Sequence, residues 1–379
     1  EIEDFIKKNQ GAFEKTSSNL DKTTLNEIIG AALKAPSGGN SQPWRWHYQN
    51  GLIHLFLEPH ASKAYLDPQQ ISSYVSLGTA IENLSLAAAT FGFKATHQLT
   101  PQLAPLHLAY ISFEPNYQIS ELENKLFKQI EHRHTNRKIT PKQEIDNFAI
   151  EALNNQVKSV DGAQIKWISD PKSLKEIGEI ASKTDLLRMF IAEAHEDFII
   201  REMRWNLDEV NHTEDGIGIH TLDLSNNDEI GIRLLKDKNM IKFLQQINGG
   251  SAFKRLTMTQ FMSSSAIGLI TMPNENVEAF INTGIAAERL WLAASDLNLQ
   301  IHPVNVPLIF FYKNRVENSL SITTETKHQL LEAENKFRQI FEIKEDEQAI
   351  FMFRIFKASP SPKRTIRKHI SKTFSIGRV

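Results

Sequence analysis

Apolar positions along the chain fall into runs whose spacing predicts the elements. Leu25, Ile28, Ile29, Ala32 and Leu33 recur at helical spacing and stop at Ala35-Pro36. Leu52–Leu57 and Leu106–Ile111 read as strands, and Thr100–Pro105, with Pro101 and Pro105, as a turn or loop between elements. A charged helix is expected from about Ser120 to His134 and a longer helical stretch from about Ser173 to Trp205. Ala266–Met272 and Ile350–Phe356 read as buried strands. Between them, about Asn206 to Gly250 reads as irregular, with Gly216, Gly218, Gly231 and Gly249-Gly250. Such a long Gly-containing insertion is expected to act as a lid or binding loop.

Two segments are apolar around most of a helix and match each other without gaps. Tyr74–Ala88 and Phe280–Ala294 coincide at Gly78/Gly284, Ala80/Ala286, Glu82/Glu288, Leu84/Leu290, Leu86/Leu292, Ala87/Ala293 and Ala88/Ala294. Unrelated core helices share Leu and Ala freely, and that is the alternative; a Gly and a Glu in register argue for repetition. A fainter match pairs Ala32-Leu33 and Trp46 with Ala152-Leu153 and Trp167, across a loop through Ser159, Val160, Asp161 and Gly162. Small residues at Gly78, Ala80 and Gly284 would let the two helices approach closely.

The loop Ala35 to Trp44 reads Ala-Pro-Ser-Gly-Gly-Asn-Ser-Gln-Pro-Trp. It is rich in hydrogen-bonding groups and free of net charge, which suits a flat heteroaromatic ligand with a polar edge. Trp44 and Trp46 alternate at a strand entrance, so at least one belongs to the core. A phosphate-bearing ligand would also need two or more Arg or Lys. Arg133-His134-Thr135-Asn136-Arg137 places two Arg four apart, on one helical turn or at a helix end, with a hydroxyl between them. On charge alone this is equally a solvated basic helix end. The tail from Lys357 to Val379 carries Lys357, Lys363, Arg364, Arg367, Lys368, Lys372 and Arg378 and no acid. By itself that suggests a basic arm for nucleic acid, but no aromatics are interleaved.

Bulk composition narrows the classes. The chain has 379 residues, 41% hydrophobic, and a net charge of −2, which reads as globular and argues against nucleic acid or an anionic membrane as partner. No apolar run approaches the roughly 18–20 residues of a membrane span. Without Cys there is no disulfide, thiol nucleophile or Cys-ligated metal. His-Glu-x-x-His is missing as well, so no metal site is expected. The chain starts at Glu1, which leaves room for a removed leader; the cytoplasm is preferred and the periplasm stays open.

The Ala35–Trp44 loop resembles the flavin-contacting loop of the nitroreductase family, Ala-Pro-Ser-x-x-Asn-x-Gln-Pro-Trp. Arg133–Arg137 resembles that family's opening motif, Arg-(Arg/His)-Ser-x-(Arg/Lys). The resemblance implies an α+β, nitroreductase-like fold: two diverged copies fused in one chain as a pseudo-dimer, with central antiparallel sheets flanked by helices. Residues 1–120 would form the first half and 121–379 the second, with the lid-like insertion and the tail. It implies FMN, held by Arg133, Thr135 and Arg137, with His134 contributing mainly backbone. Pro36, Ser37, Gly38, Asn40, Gln42 and Pro43 would face the ring. Family chains end in a strand and a basic residue that completes the phosphate site; Arg367 best fits that place, with Arg364 or Lys363 as alternatives.

The two motif sets occur once each, on opposite halves, so one FMN per chain is expected. The pattern resembles the Acg-type single-chain NAD(P)H nitroreductases. A monomeric pseudo-dimer would then take hydride from NAD(P)H and pass it to a nitroaromatic or quinone-like small molecule, in ping-pong fashion. The cofactor carries such chemistry, so no catalytic side chain is assigned. The alternative is a protein that binds or sequesters flavin with little or no turnover.

Overall fold

In the computed structural model residues 2–13, 17–104, 106–316 and 322–377 are described; Pro105 and Arg378 lie outside them. The apolar runs become two sheets. One has five strands in the order Phe374–Ile376, Trp44–Gln49, Leu52–Leu57, His107–Pro115, Phe93–Ala104. The other has four, Gln164–Ile168, Ala266–Met272, Gln348–Lys357, Leu299–Pro303. All pairings in these two sheets are antiparallel except that of Trp44–Gln49 with the C-terminal strand Phe374–Ile376, which is parallel.

The sheets share one topology. In each, a helix (Lys22–Leu33 or Asn147–Lys158) leads into the first strand. A long helix, Ile71–Thr90 or Val277–Asp296, joins the second strand to the third. Numbering strands within each half, the order across the sheet is first, second, fourth, third in both. The two long helices cross at Gly78 and Gly284, with backbone against backbone. Around that crossing one hydrophobic core runs from Leu25 through Trp46, Leu84 and Leu290 to Ile355, joining both halves.

The halves differ in what they insert. The first two strands of the first half are joined by Asn50-Gly51 at φ 55° and 81°, both left-handed, as a tight hairpin demands. At the same point the second half carries everything between Ile168 and Ala266. The region expected to be irregular is therefore larger and mostly helical, with helices Leu207–Thr213, Asn226–Leu234, Lys238–Gln246 and Ser251–Met262. It has a small core of its own, including Phe198, Trp205 and Ile241, which is what lets so long an insertion keep a shape.

Other expectations need correction. The Pro-rich stretch is no turn: the strand Phe93–Ala104 continues through Thr100–Ala104, and the turn falls at Leu106. An edge strand tolerates such residues because one side of its backbone needs no partner. The charged helix is Glu121–Gln129, closed by a capping box between Ser120 and Glu123 at its start. It ends before Arg133, so Arg133–Arg137 is extended chain, bridged in parallel at Thr135 to Ile301. The stretch Ser173–Trp205 is a helix Pro171–Phe190, a short turn of helix Ala192–His195 and a π-helical segment Glu196–Glu202. Trp44 and Trp46 are both core residues, 1% and 0% exposed.

Candidate functional site

The helix Lys22–Leu33 ends at Lys34, and the loop after it is held by its own side chains. Ser37 Oγ accepts from Gln42 N at 3.0 Å, and Pro36 O accepts from Thr79 Oγ1 at 2.9 Å. Gly39, Asn40 and Gln42 adopt φ of 59°, 54° and 53°. Left-handed backbone at two non-glycine positions is uncommon and persists where surrounding contacts impose it. Those contacts come from far along the chain. Asn40 Nδ2 donates to Gly216 O (3.2 Å) and Ile366 O (3.1 Å). Gln42 Nε2 donates to Glu214 O at 2.8 Å, and its Oε1 accepts from Lys368 N at 2.8 Å. The loop is clasped between the insertion and the tail.

Arg133 lies across the helix junction. Its Nε is 3.1 Å from Glu288 Oε1, its Nη2 donates to Lys34 O at 2.7 Å, and its guanidinium sits 4.9 Å from the Trp291 ring centre. Arg367 approaches the same carbonyl from the tail, with Nη2 3.4 Å from Lys34 O, Nε donating to Ala35 O at 3.2 Å and Nη1 to Asn40 Oδ1 at 2.8 Å. Two guanidinium groups thus meet at the carbonyl end of one helix, the negative end of its dipole. Arg137 donates from Nη1 to Thr221 O at 3.2 Å. Burial draws Arg137 down to about 10 and Arg367 down to about 9; burial also lowers Arg133, against the opposing pull of Glu288. Glu288, fully buried, is pushed up to about 7 by desolvation despite Arg133.

These groups surround a half-open cavity of about 210 Å³. Of the residues expected from the sequence, Pro36, Ser37, Asn40, Arg133, His134, Thr135, Arg137, Arg364 and Arg367 line it. Gly38, Gln42 and Pro43 do not; Gln42 is 1% exposed and spends its amide on the lid and tail. His134 contributes more than backbone: its Nε2 accepts from Ser361 N at 2.9 Å while Nδ1 faces His132 O at 2.8 Å. That pair of contacts defines the tautomer protonated at Nδ1. Burial also lowers its pKa, which favours the neutral ring.

Lys34, Lys363, Ile217 and Thr221 line the cavity too and were not singled out as site residues from the sequence, apart from Lys363 as an alternative. Lys34 and Lys363 stand at the mouth, paired with Glu131 and Asp223. Glu288 and Trp291 act behind the wall; the repeat that matched Glu82 with Glu288 was the signal for the former. The mirror-related Glu82 finds its cation in Arg289, at 2.8 Å, on the helix Val277–Asp296 itself. The basic tail is packed on the body: Arg367 is in the wall, Lys363 and Lys372 reach Asp223 and Glu214, and Phe374–Ile376 joins the first sheet. Among the described residues no cluster of His, Asp and Glu could hold a metal, and no helix is long and apolar enough to cross a membrane.

An α+β chain with a cationic cavity between a Ser-Gly-Asn loop and an Arg-x-Thr-x-Arg segment is what the resemblance to nitroreductases leads one to expect. Sequence relatives agree with it. The Putative NAD(P)H nitroreductase acg of Mycobacterium tuberculosis is 26% identical over 172 residues, 45% of this chain and 51% of that protein. A second Putative NAD(P)H nitroreductase of that organism is 31% identical over 96 residues, 25% of this chain and 28% of that protein. An uncharacterized protein from it is 24% identical over 342 residues, 88% of this chain and 46% of its own length. The matches thus span about half, or less, of the length of these relatives. Among solved structures, the FMN-dependent nitroreductase NfnB of Mycobacterium smegmatis, in complex with NADPH, is 13% identical over 68% of this chain and 100% of its own, at a TM-score of 0.39, too low for a conclusion. No family model matches the chain.

Proposed function

We propose that this chain is an FMN-dependent NAD(P)H oxidoreductase with one flavin site, built as two fused, diverged copies of one fold. The observation that carries the reading is the convergence of Pro36–Asn40, Arg133–Arg137 and Arg367 on one cavity. The shared strand order of the two sheets and the Gly78–Gly284 crossing support the duplication.

The residues suit a flavin phosphate and ring. Arg133, Arg137 and Arg367 bring three guanidinium groups to the cavity, and only Arg133 has a carboxylate partner there. Arg and phosphate match in charge and fork geometry. The cavity is smaller than the roughly 300 Å³ at which drug-sized sites begin. The remainder of an FMN-sized ligand lies in the mouth beside Lys34 and Lys363, where side chains are exposed and free to shift. Gly39 is essential here: a Cβ there would meet the Glu202 carboxylate at 2.6 Å.

When bound, the flavin supplies two-electron transfer between NAD(P)H and a small acceptor, and the protein's part is binding, orientation and electrostatics. Arg133 and Arg367 hold the phosphate end. Ser37, Gly39 and Asn40 present backbone and amide groups to the ring edge, and Thr135 its hydroxyl. Arg137 brings positive charge to the opposite wall, which favours negative charge developing on a ligand in low dielectric.

The second reading is flavin sequestration. It is favoured by the clasp of Asn40 and Gln42 on Gly216 and Glu214, since the lid is already tied to the loop. The decisive experiment is the visible spectrum of the purified protein with flavin-to-protein stoichiometry, followed by stopped-flow addition of NADH or NADPH. A ratio near one with rapid bleaching is expected. A ratio near two defeats the single site. Bound flavin that neither nucleotide bleaches leaves only sequestration.

A further inference from the structure

Behind the Arg137 wall lies a second concentration of positive charge that the proposed phosphate site does not use. Arg354, in the strand Gln348–Lys357, is 0% exposed. Its Nε donates to Ser264 Oγ (3.1 Å), and its Nη2 to Ser263 Oγ and Lys138 O (both 3.2 Å). Its Nη1 is buried with no partner. Directly across the ladder stands His302, whose Nδ1 is likewise buried and unpartnered. The strand of His302 runs beside Thr135, where Asn136 N donates to Ile301 O at 3.1 Å. Arg354 therefore grips the carbonyl of the residue next to Arg137, while His302 flanks the same segment.

Among the described residues none of the three makes an ion pair. The carboxylates that act on Arg137 from a distance, Glu202 and Asp223, are bound to Arg188 at 2.6 Å and Lys363 at 3.1 Å. Arg354 is pushed down to about 9 by burial alone, with no carboxylate to offset it. Burial first, then Arg137 and Arg354, holds His302 well below its ordinary value, so its ring is a neutral hydrogen-bonding group. Interior charge without a counter-charge is costly, and proteins keep it where a ligand completes it.

We propose that Arg137, His302 and Arg354 form an anion seat at the inner end of the cavity, and that it receives the delocalised negative edge of the reduced flavin ring. The second clause rests on the function proposed above; the seat itself does not. His302 and Arg354 are positioning residues: they set the field and hold the Lys138 carbonyl, and Arg137 makes the contact.

Two measurements test it. The flavin-free protein is titrated with nitrate, a flat delocalised anion, against gluconate at matched ionic strength, with inorganic phosphate present to fill the phosphate end. Thermal stabilisation by nitrate is expected, about tenfold weaker in affinity in His302→Leu and in Arg354→Met, as for loss of a charge-assisted contact. His302→Leu covers the case in which Arg354→Met fails to fold. Unchanged nitrate affinity in the folded variants overturns the seat.

With FMN bound, the same variants should weaken reduced FMN about tenfold relative to oxidised FMN, a midpoint lower by about 30 mV for two electrons. Nitrate loss without that shift overturns the ring as occupant. A protein that takes up no FMN overturns the proposed function, while the nitrate arm still decides the seat.

Discussion

Gly78 and Gly284 face each other where the two long helices cross. A Cβ on Gly78 would stand 2.1 Å from the Ile281 carbonyl oxygen and 3.0 Å from Gly284 Cα; one on Gly284 would stand 2.0 Å from Val75 O. These neighbours are backbone, so neither can give way without separating the helices. Gly78→Ala and Gly284→Ala should each cost at least about 3 kcal/mol, at the upper end of overpacking effects. Gly30 sits in the helix Lys22–Leu33, and a Cβ there would meet nothing within 4 Å. Gly30→Ala should therefore be neutral or stabilise by up to about 1 kcal/mol. Urea unfolding of the three variants checks the contrast.

Arg133 and Glu288 are 3% and 0% exposed at the side chain. Removing one partner strands the other charge in the core. Glu288→Leu should cost roughly 3–5 kcal/mol, and adding Arg133→Met should recover much of it. Flavin uptake separates the two roles of Arg133: the double variant should regain stability and still bind FMN poorly. Full flavin binding by the double variant would remove Arg133 from the phosphate site.

Arg137 and Arg367 have no carboxylate partner, so their charge is available to a ligand. Arg137→Met and Arg367→Met should each weaken FMN by about 10- to 100-fold, the worth of a charged hydrogen bond. Arg364 is exposed at the mouth, where it donates to Glu131 O. Arg364→Ala should change FMN affinity by no more than about threefold. Quenching of flavin fluorescence measures all three.

Glu214 ties the lid to the tail, accepting from Lys372 Nζ at 2.9 Å and His369 N at 3.0 Å, while its carbonyl accepts from Gln42. The ion pair is half exposed, so Glu214→Ala should speed FMN release by at most about fivefold, and added salt should reproduce part of the effect in the parent protein. A much larger acceleration would favour sequestration, with the lid as the device that retains flavin.

His54 and His107 are buried beneath Phe5 and Phe13 of the N-terminal segment, with His54 Nδ1 3.0 Å from His107 Nε2 and Thr100 Oγ1 2.7 Å from His107 Nδ1. Burial draws them to about 3 and about 4. Their folded values lie below the unfolded one, so the unfolded chain binds more protons below pH 6.5. Stability is fully present above that pH and falls as pH drops from about 6.5 toward 4. For His107 the loss reaches about 3 kcal/mol. Unfolding curves across this window should flatten in His107→Gln.

The elements that define each half were legible because they obey local rules. Periodicity located the helices around Ile28 and Leu84 and the strands around Leu55 and Phe353, and the matched Gly and Glu registered the two central helices. Hydrogen-bonding chemistry marked Pro36, Ser37 and Asn40, and charge marked Arg133, Arg137 and Arg367, without any contact between them. Local rules failed where neighbours distant in sequence decide. The strand through Thr100 is extended because His107–Pro115 pairs with it. The insertion folds because it encloses its own core.

What the sequence by itself determined is therefore the inventory: which segments are helix or strand, which are repeated, and which side chains carry charge and donors. Only the tertiary structure decided their employment. It turned Gln42 away from the cavity to hold Glu214 and Lys368, spent one face of Arg133 on Glu288, and brought Arg354 and His302 up behind Arg137. Periodicity and charge are properties of neighbours along the chain. Burial and partnership are set by residues one to three hundred positions away, which no local pattern encodes.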